Sequence, residues 1–205
     1  SMPVSKTYKL VATGDFNGDG MTDVIWTDGS SMWMWVGNGS SFTNTYMRAY
    51  PGGWKVVGTS DLDGDGKTDL IWVNGQRMSE WIMNGPAFSA TYIQTLASGW
   101  RYLTTGDFDS DGEADLLLTN GAAMQMWTHF SAGSFSAVTT HTYPPNWTIL
   151  GSADLNGDGM ADLLWRDNAH QRFSYWIMNG ATLESSKIIN VSAQWSFGTA
   201  GDFDG

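Results

Sequence analysis

Aspartate recurs along this chain at a spacing that suits a hard cation. The first cluster is Asp15, Asn17, Asp19 and Asp23, and the second is Asp61, Asp63, Asp65 and Asp69. The third is Asp107, Asp109, Asp111 and Asp115, and the fourth is Asp154, Asn156, Asp158 and Asp162. Each obeys the pattern D-x-[DN]-x-D-G-x-x-D, and a fifth opens at Asp202-Phe-Asp204-Gly205, where the sequence stops. Calcium takes roughly six to eight oxygens at about 2.3–2.6 Å. Side chains at positions 1, 3 and 5 converge when the backbone curls round an ion, and Gly at position 6 permits the sharp turn. The backbone carbonyl of position 7 (Met21, Lys67, Glu113 and Met160) then points inward, and the Asp at position 9 completes the cage. The spacing therefore predicts about four Ca²⁺, one per complete loop.

Two other readings compete with this one. An EF-hand needs a bidentate Glu at position 12 and flanking helices. Position 12 here is Trp26, Trp72, Leu118 or Trp165, and the flanks read as strands. Plain polar turns would also use Asp and Gly, but four such loops in phase with a repeat favour metal. Of the 21 acids, only Asp28, Glu80, Glu113, Asp167 and Glu184 lie outside positions 1, 3, 5 and 9. Packed carboxylates repel one another without a cation, and eight positive charges from four calcium ions would bring the formal charge from −11 to −3. Magnesium fits less well because it prefers a small octahedral shell and retains water. Loops two and three carry four carboxylates each, so they are expected to bind more tightly than loops one and four.

The elements that must position these loops repeat with them. Tyr8, Trp54, Trp100, Trp147 and Trp195 stand 46, 46, 47 and 48 residues apart, each seven residues before a loop-opening Asp. Each unit reads as four short strands: aromatic to loop, loop to Val24-Ile-Trp26 and its counterparts, a strand through Trp35, Trp81, Trp127 or Trp176, and a Ser/Thr/Tyr-rich return. Met32, Met78 and Met124 precede the first three of those tryptophans by three residues, which places Met and Trp on opposite faces of one strand. Both faces are thus expected to be buried. The fold class is all-β: β-propeller blades of four antiparallel strands, four repeats of 46–48 residues plus one extra strand. The expected organisation is a single array, with blade units at 8–53, 54–99, 100–146 and 147–194 and the start of a fifth at 195–205.

The loops, with Val11-Ala-Thr-Gly14 before and Val24-Ile-Trp26 after the first, resemble the FG-GAP/VCBS repeat family. That family includes the propeller of integrin α chains, fungal propeller lectins and many secreted bacterial proteins. The resemblance implies calcium on loops between strands one and two of each blade, and an extracellular, secreted or cell-surface setting. Four units plus a strand imply a fragment of a longer array, a closed four-bladed ring, or half of a dimeric ring.

Composition narrows the function. A net charge of −11 with no Lys/Arg cluster argues against nucleic acid. The absence of cysteine removes disulfides and thiolate metal sites, and no apolar run approaches the ~18 residues needed to span a bilayer. The three histidines, His129, His141 and His170, fall at non-equivalent repeat positions and form no nucleophile motif, so no enzyme activity is expected. The expected function is a calcium-stabilised binding module, lectin-like, with a glycan ligand. A protein-interaction or adhesion scaffold of a larger secreted protein or toxin is the alternative, and self-association to complete a ring is a further option. Trp33, Tyr46, Tyr50, Tyr102 and Tyr143 are candidate exposed aromatics for a sugar. Trp33 leads, because the equivalent positions hold Ser79, Gln125 and Ser174.

Overall fold

The computed structural model describes residues 8–192; the fifth repeat, including Trp195, Asp202 and Asp204, lies outside them. Sixteen strands form four separate antiparallel sheets of four, each in chain order, with no helix among the described residues. The first sheet holds β1 (Lys9–Gly14), β2 (Asp23–Thr27), β3 (Ser31–Gly37) and β4 (Phe42–Ala49). The second holds β5 (Lys55–Ser60), β6 (Asp69–Asn74), β7 (Arg77–Asn84) and β8 (Ala87–Thr95). The third is β9 (Arg101–Gly106), β10 (Asp115–Thr119), β11 (Ala123–Ser131) and β12 (Ser134–Thr142). The fourth is β13 (Trp147–Ala153), β14 (Asp162–Asp167), β15 (Arg172–Asn179) and β16 (Thr182–Asn190). These are propeller-type blades, and each Asp-rich loop joins a blade's first strand to its second. Every first strand carries the same register shift against its partner, between Leu10 and Ala12, Val56 and Gly58, opposite Leu117 and Leu118, and between Ile149 and Gly151.

The chain divides into two compact units, Ser1–Thr95 and Leu96–Gly205, with two sheets in each. In the first unit, the Met32 and Met34 face of the first blade is buried with Trp72 and Trp81 of the second, in a cluster that also holds Ala12, Phe16, Ile25, Leu70 and Met83. In the second unit, Leu117, Met124 and Met126 take the same role against Leu163 and Trp165. The alternation of Met and Trp along the third strands therefore builds two faces, and a Met face of one blade receives a Trp face of the next. Tyr50 and Tyr143 close these seams alike. Each hydroxyl donates to a backbone carbonyl four residues on, Trp54 or Trp147, at 3.1 Å, and each ring meets Trp72 or Trp165 edge-on. Tyr50 and Tyr143 are thus packing residues rather than exposed sugar platforms, and Tyr102 is half-buried, with desolvation pushing its phenol well up.

Backbone bonds tie successive blades together at the loops. The carbonyl of the loop-opening Asp15 accepts from Thr68 N at 2.7 Å, and that of Asp107 accepts from Ala161 N at 2.6 Å. The carbonyl one residue later, Phe16 or Phe108, accepts from the hairpin glycine of the next blade, Gly85 at 2.7 Å or Gly180 at 2.9 Å. Gly14 and Gly106 permit this approach. A Cβ on Gly14 would lie 2.5 Å from Thr68 Cγ2, and one on Gly106 would lie 2.7 Å from Ala161 Cβ. The eighth residue of each receiving loop thus sits against the glycine that precedes the neighbouring loop.

Candidate metal loops

Each loop is wound round its first carboxylate. Asp15 accepts from Gly18, Asp19 and Gly20 N–H at 2.7, 3.2 and 2.7 Å. Asp61, Asp107 and Asp154 accept the position-6 amide in the same way, at 2.7–3.0 Å. Asp19, Asp65, Asp111 and Asp158 each accept the N–H of position 7 at 2.8–2.9 Å. The turn needs a left-handed backbone at position 6, where φ is +81, +81, +86 and +85° at Gly20, Gly66, Gly112 and Gly159, a conformation glycine adopts without cost to a side chain. At Asp154 the Gly159 amide leads several N–H donors in holding the carboxyl below the usual range. At Asp15 slight burial opposes the same effect, and the donors outweigh it.

Position 9 behaves differently from a simple surface ligand. Asp23, Asp69, Asp115 and Asp162 are fully buried. One oxygen of each accepts the position-2 amide, from Phe16, Leu62, Phe108 or Leu155, at 2.9–3.2 Å. In three blades the other oxygen accepts an amide of the third strand: Gly37 at 2.9 Å, Met83 at 2.7 Å and Met178 at 2.8 Å. Burial raises all four carboxyls, reaching about 7 at Asp69 and at Asp115, and the neighbouring loop carboxylates add to it. Desolvation followed by the Asp65 or Asp111 charge raises Asp63 and Asp109 as well.

The residues present suit a calcium ion. One oxygen each from Asp61, Asp63 and Asp69, and from Asp107, Asp109 and Asp115, lie within 4.8 Å of one another. In the third loop, Asp109 Oδ1 and Asp115 Oδ1 are buried with no hydrogen-bond partner, a costly arrangement that a cation would relieve. Calcium would be held there by carboxylate oxygens and would supply charge neutralisation. The first and fourth loops are drawn in differently: Asn17 and Asn156 turn their amide NH₂ onto Asp19 and Asp158, at 3.0 and 2.8 Å. In the second loop the Lys67 ammonium sits 2.6 Å from Asp65 Oδ2, so one of its four carboxylates already faces a cation. The Glu113 carboxylate is not part of the convergent acid groups, and Met21, Lys67, Glu113 and Met160 meet the loop through their backbone N–H, which donates to the position-5 Asp.

The third blade departs from the others at one residue. The interval from Trp127 to Phe135 is one residue longer than those from Trp35 to Phe42, Trp81 to Phe88 and Trp176 to Leu183. The extra residue is absorbed as a bulge between Thr128 and Ser131, with His129 at φ +54°. His129 stands where Gly37, Met83 and Met178 donate to position 9, and Asp115 Oδ1 lacks that donor. Its imidazole instead reaches loop three, with Nδ1 2.8 Å from Asp111 Oδ2 and Nε2 3.7 Å from Asp109 Oδ2. The bond to Asp111 and the Asp109 charge raise the imidazole's affinity for a proton. The period of 47 rather than 46 was the sequence signal for this contact. The two further residues in the fourth unit lie between its second and third strands, where Asp167 is buried beneath Arg172 and His170. His141 Nε2 accepts Leu183 N–H at 3.2 Å.

Trp33 lies half-buried on the first blade's Trp face, its ring 5.5 Å from Tyr8 and 6.2 Å from Tyr46, centroid to centroid. Both tyrosines are exposed. The corresponding Ser79 and Ser174 are buried, each hydroxyl donating to a carbonyl of the fourth strand.

Comparison with known proteins agrees with the loop and strand pattern. The FG-GAP-like repeat matches residues 61–118 and 107–165, and the FG-GAP repeat matches 10–41. The chain belongs to the FG-GAP repeat family. This FG-GAP chain is similar in fold to an Agrocybe aegerita lectin described as recognising non-reducing terminal N-acetylglucosamine, with TM-score 0.67 and 20% identity over 88% of this chain and 52% of that one. A second structure is the Photorhabdus luminescens Tc holotoxin pore, with TM-score 0.55 and 16% identity over 84% of this chain and 10% of that one. The chain thus spans about half of the lectin and a tenth of the toxin chain. No curated protein matches the sequence.

Two outcomes follow for the metal-free protein. Asp69→Asn and Asp162→Asn each remove an acceptor from a paired buried amide and should cost about 1–3 kcal/mol in urea unfolding. Asp115→Asn should stay within about 1 kcal/mol of wild type, because its Oδ1 receives no donor. Equal losses at all three would contradict the bridging role. In pH, Asp69 and Asp115 carry folded values near 7 against 3.8 for the free group, so their protonated forms favour the fold. Stability of the metal-free protein should therefore fall as pH rises from about 4 to 7, and level off above.

Proposed function

We propose that this chain is a calcium-stabilised, non-catalytic binding module of an extracellular or cell-surface protein, with a glycan as its ligand. The calcium part is supported by four copies of one carboxylate-lined turn and by the partnerless buried oxygens of the third. An extracellular setting supplies enough calcium to fill modest sites, and exposed Asn38, Asn146 and Asn190 in N-x-[ST] sequences are consistent with export. The non-catalytic reading rests on the histidines. Each is committed to a neighbouring loop, hairpin or amide rather than to a nucleophile.

The observation that carries the glycan reading is Trp33. Its position holds a buried serine in the second and fourth blades, yet here it holds a large ring walled by Tyr8 and Tyr46. A tryptophan face with polar tyrosine edges suits the apolar face and hydroxyl rim of a sugar. Glycans ending in N-acetylglucosamine are the first class to test, since the structurally similar fungal lectin is described as recognising that terminus.

A protein-partner reading has its own support. Trp26, Trp35 and Phe42 on the same blade form the ladder that Trp72, Trp81 and Phe88 form in the second, and Phe42 is exposed. Such a face suits a protein surface, including another copy of this chain.

Thermal unfolding after chelation and after calcium restoration tests the first claim. Saturation at a hundredfold excess over Kd is worth about 2.7 kcal/mol per site, so the midpoint should rise by more than about 5 °C. A calcium-loaded glycan array tests the second. Trp33→Ala should lose at least about tenfold in affinity for any hit, about 1.4 kcal/mol. An array without hits, with a concentration-dependent mass in solution, would favour the protein partner.

A further inference from the structure

The third loop differs from its siblings in chemistry as well as in shape. We propose that Asp109, Asp111 and His129 form a mixed nitrogen–oxygen site that takes a borderline divalent cation of the zinc type. The inference rests on the reading of these loops as cation sites, and its test keeps the two apart.

Three observations support it. First, one donor atom each from Asp109, Asp111 and His129 lie within 4.8 Å of one another, and Asp109 is shared with the all-oxygen group of Asp107 and Asp115. A tetrahedral ion with bonds of about 2.1 Å holds neighbouring donors about 3.4 Å apart, so little movement is needed. Second, Asp109 Oδ1 and the fully buried Asp115 Oδ1 have no hydrogen-bond partner, so the loop holds more acceptor capacity than the protein fills. Third, His129 comes to the loop by a dedicated backbone change. The one-residue bulge and φ of +54° forfeit the amide bond that Gly37, Met83 and Met178 make to position 9.

Donor type then decides the ion. Imidazole favours zinc, copper and nickel over calcium, whereas an all-carboxylate and carbonyl set favours calcium. No other described loop places an imidazole beside its carboxylates. His170 is held with Asp167 by the Arg172 guanidinium, a fixed positive charge that repels a cation, and His141 Nε2 is occupied by the Leu183 amide.

Calorimetric titration of the full metal-stripped chain with Zn²⁺ alone, and separately with Ca²⁺ alone, tests the site. The variant is His129→Asn, because asparagine tolerates the left-handed backbone and removes only the imidazole. His170→Gln serves as a control. Wild type and His170→Gln should bind one Zn²⁺ at least tenfold more tightly than His129→Asn, a loss at the low end of that seen even when outer partners of a metal are removed. Calcium affinity of His129→Asn should stay within about threefold of wild type. With Cu²⁺ as a spectroscopic substitute, nitrogen couplings in the electron paramagnetic resonance spectrum should vanish in His129→Asn alone. Equal zinc affinity in wild type and His129→Asn would overturn the proposal while leaving calcium binding intact. Calcium silence with His129-dependent zinc binding would overturn only the calcium reading.

Discussion

The buried aspartate at the ninth loop position is the contact on which the blade depends. In the first, second and fourth blades its two oxygens join the start of the loop to the far side of the third strand. Removing a carboxylate from water is expensive unless its acceptors are filled, and two backbone amides fill them. The residue cannot leave this position without stranding those amides, so it fixes where the loop leaves the sheet. A cation nearby would lower the remaining cost, because the same burial and crowding that raise these carboxyls disfavour the charged form. Were the loop to hold a cation, its occupancy and the stability of the blade would form one linked equilibrium.

That linkage extends from blade to blade within each unit. The carbonyls at loop positions 1 and 2 accept amides from the next blade's loop and hairpin. A loop that tightened round an ion would hold those carbonyls in place, and with them the Met-to-Trp seam beneath. Repeat proteins gain stability from neighbour interfaces more than from isolated units. Here the interface has a polar end at the loops and an apolar end at the tryptophans. The glycine preceding the loop, Gly14 or Gly106, is the point where backbone proximity rather than side-chain chemistry dictates the residue.

The four-stranded units and the opposed Met and Trp faces were legible from periodicity, because alternation and burial follow directly from strand geometry. The loops were legible as acidic turns, and in the second and third the carboxylates of positions 1, 3 and 9 do crowd together. What the one-dimensional pattern concealed was the division of labour inside a loop. A ninth-position Asp that bridges two strands and one that only caps an ion have the same letter and spacing. Tyr50 and Tyr143 looked available for a ligand, yet each closes a seam, since their rings reach residues distant in the chain. His129 is non-equivalent within the repeat, and that single-residue offset is what swings it over the third loop.

Trp33 sets the Trp face of the first blade apart within the repeat. If that face were shaped to receive a blade as the second and fourth are, its Trp33 position would need a small residue. Ser79 and Ser174 are buried there, and each satisfies a backbone carbonyl with its hydroxyl. An indole in that place adds volume where the second and fourth blades hold a small buried side chain, and overpacking a close-fitted surface costs about 1–3 kcal/mol. The rings beside it do not lie flat either: Tyr8 is inclined 58° and Tyr46 72° to Trp33, giving a floor with walls rather than a plane. The residue that breaks the repeat thus sets this face apart from those of the second and fourth blades, even though Trp26, Trp35 and Phe42 beside it retain the repeat's own packing chemistry.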